Sequence, residues 1–194
     1  MRNSKIITVT LSPSLDRTLV THYLALGYKN HSTERSRLDP GGEGVSMARA
    51  VRQLGGRQHA IVLLGNDATG FAYKALIQEE DIDVTISMVP GHTSSNTIIL
   101  DTGKETETQI LEESAEISGE DIQNVADVLT EITKPGDFVV FAGTLPGGAP
   151  LDTYAHLTNL VHEAKAHSII VSGGQALIEA IPSKPDLVVL RRIQ

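Results

Sequence analysis

Short runs of β-branched and aliphatic residues alternate with stretches whose apolar positions recur every three or four residues. Residues 6–11 predict a first strand and residues 61–64 a second. Residues 137–142 (Asp-Phe-Val-Val-Phe-Ala), 168–171 and 187–190 have the continuous apolar character of buried strands. Between them the helical period shows in three places. In residues 45–54, Val45, Ala48 and Val51 share a face. From Ser118 onward, Ile122, Val125, Val128, Leu129 and Ile132 do the same. Ser118, with Asp121 three residues later, has the spacing of a capping box. Tyr154, Leu157, Leu160 and Val161 mark a third helix, and Pro135-Gly136 separates helix from strand. Strand and helix alternating in this way predict a parallel sheet with crossover helices, an α/β fold.

Two regions break the alternation. Residues 15–40 are polar and extended. Residues 83–111 hold three successive strand-like runs, 83–88, 95–101 and 106–111, with Gly91 and Gly103 at the turns. This second region reads as a small accessory sheet beside a single domain covering residues 1–194. The chain shows no repeat, low-complexity tract or flexible linker.

Composition narrows the chemistry. The 194 residues suffice for one substantial core, and 40% hydrophobic with 21% charged residues is an ordinary globular balance. The absence of cysteine excludes disulfides, zinc–thiolate sites and thiol catalysis. A net charge of −8 argues against a nucleic-acid partner, and leaves any bound phosphate dependent on local cations or backbone N–H groups. With no tryptophan, stacking platforms for bases or sugars are not expected. No apolar run has the length of a bilayer span, and Met1-Arg-Asn-Ser-Lys5 lacks the apolar centre of a signal peptide. The expectation is a cytoplasmic protein without a membrane partner. The seven histidines lack metal-ligand spacing and read as surface residues, and Glu112-Glu113 reads as a solvated loop edge, so no metal site is expected.

Three segments carry the candidate chemistry. The first is Thr8-Val-Thr-Leu-Ser-Pro-Ser-Leu-Asp16. The second is Asp39-Pro-Gly41-Gly42-Glu43-Gly44-Val45-Ser46-Met47-Ala48-Arg49. The third is Phe141-Ala142-Gly143-Thr144-Leu145-Pro146-Gly147. In this order they resemble the ribokinase-like (PfkB) carbohydrate kinases, most closely the phosphofructokinase and tagatose-6-phosphate kinase branch. The counterparts there read T-L-N-P-A-L-D, G-G-K-G-x-N-x-A-R and S-G-S-L-P-P-G. Gly65-Asn-Asp-Ala-Thr-Gly70 resembles the family's G-x-D-x-x-G turn, Gly174-Gln175-Ala176-Leu177 its S-G-E-A-L, and Lys184-Pro-Asp-Leu187 the approach to its K-P-N-x-x-E.

The resemblance implies the N-terminal portion of a Rossmann-like ribokinase fold. It implies a β-lid built from segments 15–40 and 83–111, covering a sugar phosphate and able to pair with a second copy. It also implies substrate contacts at Asp16, Gly41, Gly42, Gly44, Ser46, Asn96 and Thr144, with ATP and Mg as the phosphoryl source and its ion. A carboxylate such as Asp16 can accept two hydroxyl hydrogen bonds, which suits a polyol. Glycines at a helix start allow close backbone approach to an anion.

The departures fall at polar and charged positions. Glu43 stands where many relatives have Lys, and Ser46 where they have Asn. The lid segment T-R-x-N reads Thr93-Ser94-Ser95-Asn96, and T-K-x-N-E reads Thr108-Gln109-Ile110-Leu111-Glu112. Val171 and Gln175 replace an Asp and a Glu. The K-P-N block reads Val189-Leu190-Arg191, and Arg191-Arg192 carry no assigned role. A misplaced unit charge about 4 Å from a phosphate costs roughly 4 kcal/mol at an effective dielectric of about 20. Replacing three cations by Glu43, Ser94 and Gln109 therefore removes phosphate affinity, unless Arg17, Arg35 or Arg37 substitutes. The family's catalytic Asp lies in a Gly-Ala-Gly-Asp motif beyond the K-P-N block, and residues 1–194 hold no such motif. Two functions stay open: a phosphofructokinase-like kinase whose catalytic Asp lies outside these residues, or a non-catalytic ligand-binding or dimerisation module. The catalytic residue is expected to be absent and the chain inactive by itself.

Overall fold

The computed structural model describes residues 4–113 and 116–190; Arg191 and Arg192 lie outside them. Among these, the chain runs β1 (Ile6–Thr10), β2 (Ser14–Thr21), β3 (Arg37–Pro40), α1 (Glu43–Gln53), β4 (Gln58–Gly65), α2 (Ala68–Gln78) and β5 (Val84–Val89). It continues with β6 (Ser94–Asp101), β7 (Thr106–Ile110), α3 (Gly119–Ile132), β8 (Phe138–Ala142), α4 (Thr153–Glu163), β9 (His167–Val171), α5 (Gly174–Ala180) and β10 (Leu187–Val189). Six strands form a parallel sheet in the order β10-β9-β8-β1-β4-β5, and four form a second sheet in the order β3-β2-β6-β7.

Most of the parallel sheet is covered on both faces, which explains its near-continuous apolar strands, whereas Leu187 and Val189 of β10 are exposed. Ile7, Val9, Phe141 and Ile170 pack with Val125 and Leu129 of α3 and Leu157 of α4. Ala60, Val62 and Leu64 pack on the other face with Val45 and Ala48 of α1 and Tyr73 and Ile77 of α2. Each fully buried aliphatic side chain contributes roughly 1.5–3 kcal/mol. The capping box forms: Asp121 N–H donates to Ser118 Oγ at 3.3 Å, and Ser118 N–H donates to Asp121 Oδ2 at 2.8 Å.

One expected strand lies elsewhere. The sequence pattern groups run 83–88 with the accessory sheet, but β5 pairs in parallel with β4 from Ala60↔Val84 to Gly65↔Val89. Val84, Ile86 and Met88 pack against the α1/α2 cluster, so β5 completes an ordinary strand–helix–strand crossover around α2. Of segment 83–111, only β6 and β7 join β2 and β3 in the lid. Helices α2 and α5 have no counterpart among the helices read from periodicity. The start of α2 is fixed by Asp67, whose carboxylate accepts from Gly70 N–H at 2.9 Å and from Thr93 N–H at 3.1 Å. This same contact ties the helix to the first residue before the lid strand β6.

Candidate functional site

The turn from β3 into α1 can be occupied only by glycine at several points. Gly42 has φ +126°, and a Cβ there would lie 2.8 Å from Thr10 Cγ2. A Cβ on Gly41 would run into the Asp16 carboxylate, and one on Gly44 into Thr10 Oγ1. Gly41 is fixed on two sides. Its N–H donates to Ser14 O at 2.7 Å, and its carbonyl accepts from Tyr73 Oη at 2.7 Å. Burial pushes the Tyr73 phenol up, well above its usual range, so it stays a donor. No side chain caps α1, whose first turn carries Glu43.

The lid places Asp16 against this turn. β2 pairs Asp16 with Asn96 of β6 on one side and with Asp39 of β3 on the other. Asp16 Oδ1 accepts from Ser14 Oγ at 2.7 Å and from Asn96 Nδ2 at 3.0 Å. Asn96 in turn accepts from Glu112 N–H at 3.1 Å through Oδ1. Asp16 Oδ2, pressed toward Gly41, has no hydrogen-bond donor among the described residues.

A cleft of about 590 Å³ opens between lid and sheet. Ser12, Ser14, Gly42, Ser46, Asn96 and Thr144 line it, with Glu43, Met47, Ala50, Leu111 and Gly143. Four segments distant in sequence therefore converge, and four of the predicted contacts (Gly42, Ser46, Asn96 and Thr144) face the same space. Gly41 and Gly44 lie buried behind it and set its backbone; Asp16 touches it through Ser14 and Asn96. A second recess of about 450 Å³ shares Glu43, Gly143 and Thr144 and adds Ser172, Gly173, Gly174 and Leu190. Tyr154 Oη donates to Gly143 O at 3.0 Å and fixes the wall common to both. Burial raises the Tyr154 phenol well above its usual range, and the nearby Glu43 charge adds to this.

Cations are scarce here. Arg37 is paired with Asp39, and Arg49 of α1 is turned onto Glu80 and Pro40 O. Arg17 and Arg35 are exposed, and neither they nor Arg37 line the cleft. Among the described residues, no group of three His, Asp or Glu side chains is placed to hold a metal ion. His167 is exposed and His162 half-buried, and both contact Asp186, at 3.1 and 3.2 Å, at the opposite end of the sheet from the cleft.

The motifs do not give the roles of four residues of the site, although Asp39 and Glu112 fall within the segments compared above. Tyr73 and Tyr154 hold the two loops by their hydroxyls, through helices whose sequence marks them only as core. Asp39 and Glu112 flank the Asp16–Asn96 pair. The period of two along β3 is the signal that sets Asp39 on the face of Asp16, but only once the pairing is known.

The chain is 32% identical over 183 residues to a 1-phosphofructokinase of Bacillus subtilis, covering 94% of this chain and 58% of that protein. It is 28% identical over 177 residues to the ATP-dependent 6-phosphofructokinase isozyme 2 of Escherichia coli, covering 91% and 56%. The crystal structure of Escherichia coli phosphofructokinase-2 in complex with fructose-6-phosphate superposes with a TM-score of 0.85 at 27% identity, over 93% of this chain and 58% of that one. The chain thus spans a little over half the length of these relatives. The family model for pfkB family carbohydrate kinase matches residues 10–191. The chain belongs to the pfkB family of carbohydrate kinases, and its fold is the ribokinase-like one of the phosphofructokinases it resembles.

Proposed function

We propose that these residues form the sugar-binding portion of a phosphofructokinase-like carbohydrate kinase, and that by themselves they do not transfer phosphoryl. The observation that carries this is Asp16. Its Oδ1 is held by Ser14 and Asn96, which line the 590 Å³ cleft, while Oδ2 faces Gly41 just behind that lining and has no donor among the described residues. A sugar hydroxyl is the donor such an oxygen takes, and the Ser14, Ser46 and Thr144 hydroxyls can receive or supply further bonds. The backbone at Gly42, kept bare of side chain, permits close approach.

Phosphoryl transfer needs charge stabilisation and a positioned base. ATP, when bound, supplies the phosphoryl group, and Mg neutralises its phosphates. The recess beside Ser172, Gly173 and Gly174 offers backbone and one serine hydroxyl, but no described Lys or Arg lines it. Residues 1–194 hold no Gly-Ala-Gly-Asp motif. The residues present thus do not fit the phosphates of Mg-ATP unaided.

A second reading, association through the lid, rests on its outer face. By strand alternation, Leu19, Leu38, Ile99 and Ile110 lie opposite Asp16, and Leu38 and Ile110 are exposed. β3 and β7 are edge strands. One solved Escherichia coli phosphofructokinase-2 structure is described as tetrameric. We propose that the lid pairs with a second copy, and that the protein works in the cytoplasm.

Isothermal titration with a ketohexose tests the sugar site. Asp16→Asn is expected to weaken binding at least about tenfold, the loss of one hydrogen bond to a charged acceptor. A coupled assay of ADP release is expected to show no sugar-dependent turnover by the 194 residues. Unchanged affinity in the variant contradicts the site, and turnover contradicts the lack of transfer.

A further inference from the structure

We infer that the sugar held by this cleft is an unphosphorylated polyol, neutral or bearing an ammonium group, rather than a sugar phosphate; this rests on the cleft being the sugar site. The charges around it decide the matter. No described Lys or Arg lines the cleft, and Asp16, bonded to the cleft-lining Ser14 and Asn96, takes part in none of the ion pairs among the described residues. Asp39 stands directly across the strand pair from Asp16, on the same face. Its partner Arg37, on the same face of the lid, is thereby neutralised. Arg17 follows Asp16 in an extended strand and so projects from the opposite face of the lid. Arg49, on the helix that lines the cleft, makes two hydrogen bonds to Glu80 and one to Pro40 O.

Two further positions deepen this pattern. Ser94 is buried at the base of β6, and Gln109 of β7 donates to Glu107; neither brings charge to the cleft. The remaining attraction for a phosphate is the start of α1, whose macrodipole amounts to about half a positive charge. The Glu43 carboxylate already occupies that first turn. A phosphate dianion in the cleft would meet no described Lys or Arg along its lining, with the Asp16 carboxylate just behind Ser14 and Asn96, and unpaired charge close to like charge is strongly disfavoured. A neutral polyol meets only acceptors and hydroxyls, which match its donors. An amino sugar gains attraction from the same carboxylates.

The test is isothermal titration of the 194-residue chain at low ionic strength with fructose, with 2-amino-2-deoxyglucose, and with the 1- and 6-phosphates of fructose. Fructose is expected to bind at least about tenfold more tightly than either phosphate ester, as one unfavourable charge contact at high effective dielectric dictates. Asp39→Asn, which releases Arg37, is expected to raise phosphate-ester affinity by about threefold or more. Tighter binding of a phosphate ester that is lost in Asp16→Asn would overturn the inference while leaving the sugar site in place. Failure of every ligand to bind, in a chain shown folded by its amide spectrum, would overturn the sugar site and the inference together.

Discussion

Gly41 links the two halves of the site. Its missing side chain makes room for the Asp16 carboxylate, and its carbonyl is held by Tyr73, a residue 32 positions away on α2. Among the described residues the Tyr73 hydroxyl makes no other hydrogen bond, and the ring is fully buried. Tyr73→Phe therefore removes one buried hydrogen bond and keeps the packing. The expected cost is about 1 kcal/mol in urea unfolding, since the Gly41 carbonyl is left without its donor. The glycines and Asp16 were legible in the sequence because their backbone and charge demands fix the residue type. Tyr73 was not, because a buried tyrosine in an apolar stretch carries no sign of which acceptor its hydroxyl will find.

At the scale of elements, legibility followed the strength of the local signal. α3 has both a capping box and an apolar stripe, and it forms where both predict it. β5 has only an apolar run next to two similar runs, and nothing local tells a strand of the main sheet from one of the lid. The packing of Val84, Ile86 and Met88 on the α2 side decides it. The lid has its own fastening at Asp101, at the end of β6. Its carboxylate accepts from the backbone N–H groups of Leu24, Tyr23, Lys104 and Gly103, and so joins the β2 exit to the β6–β7 turn. These donors, that of Leu24 foremost, hold the carboxyl below its ordinary value. A folded-state pKa that is lowered contributes stability above the unfolded value of about 3.9, and that contribution disappears as pH falls through the lowered one. Urea unfolding between pH 6 and pH 2.5 is expected to show wild type more stable than Asp101→Asn at the upper end. The gap should narrow as pH drops below about 4. A gap independent of pH would mean that the charge of Asp101 plays no part.

For the molecule as a whole, the sheet and lid create a cleft between four segments, and this convergence is what no single motif reveals. The predicted contacts at Gly42, Ser46, Asn96 and Thr144 are 102 positions apart at their extremes, yet they line one space. The lid's other face carries Leu19, Leu38, Ile99 and Ile110 beside the exposed Arg17, with Ile110 near its free edge. If that face pairs with a second copy, Ile110→Lys lowers the mass seen by light scattering toward that of one chain. An unchanged dimer, or a wild type that is already monomeric, contradicts lid pairing while leaving the cleft untouched.

The central claim is that the cleft between lid and glycine turn holds a sugar. The most direct measurement is backbone amide shift mapping of the chain titrated with fructose. The account predicts saturable shifts centred on Asp16, Gly41, Gly42, Gly44, Ser46, Asn96 and Thr144, absent in Asp16→Asn. Saturable shifts centred on any other surface, or shifts that persist in the variant, would contradict it.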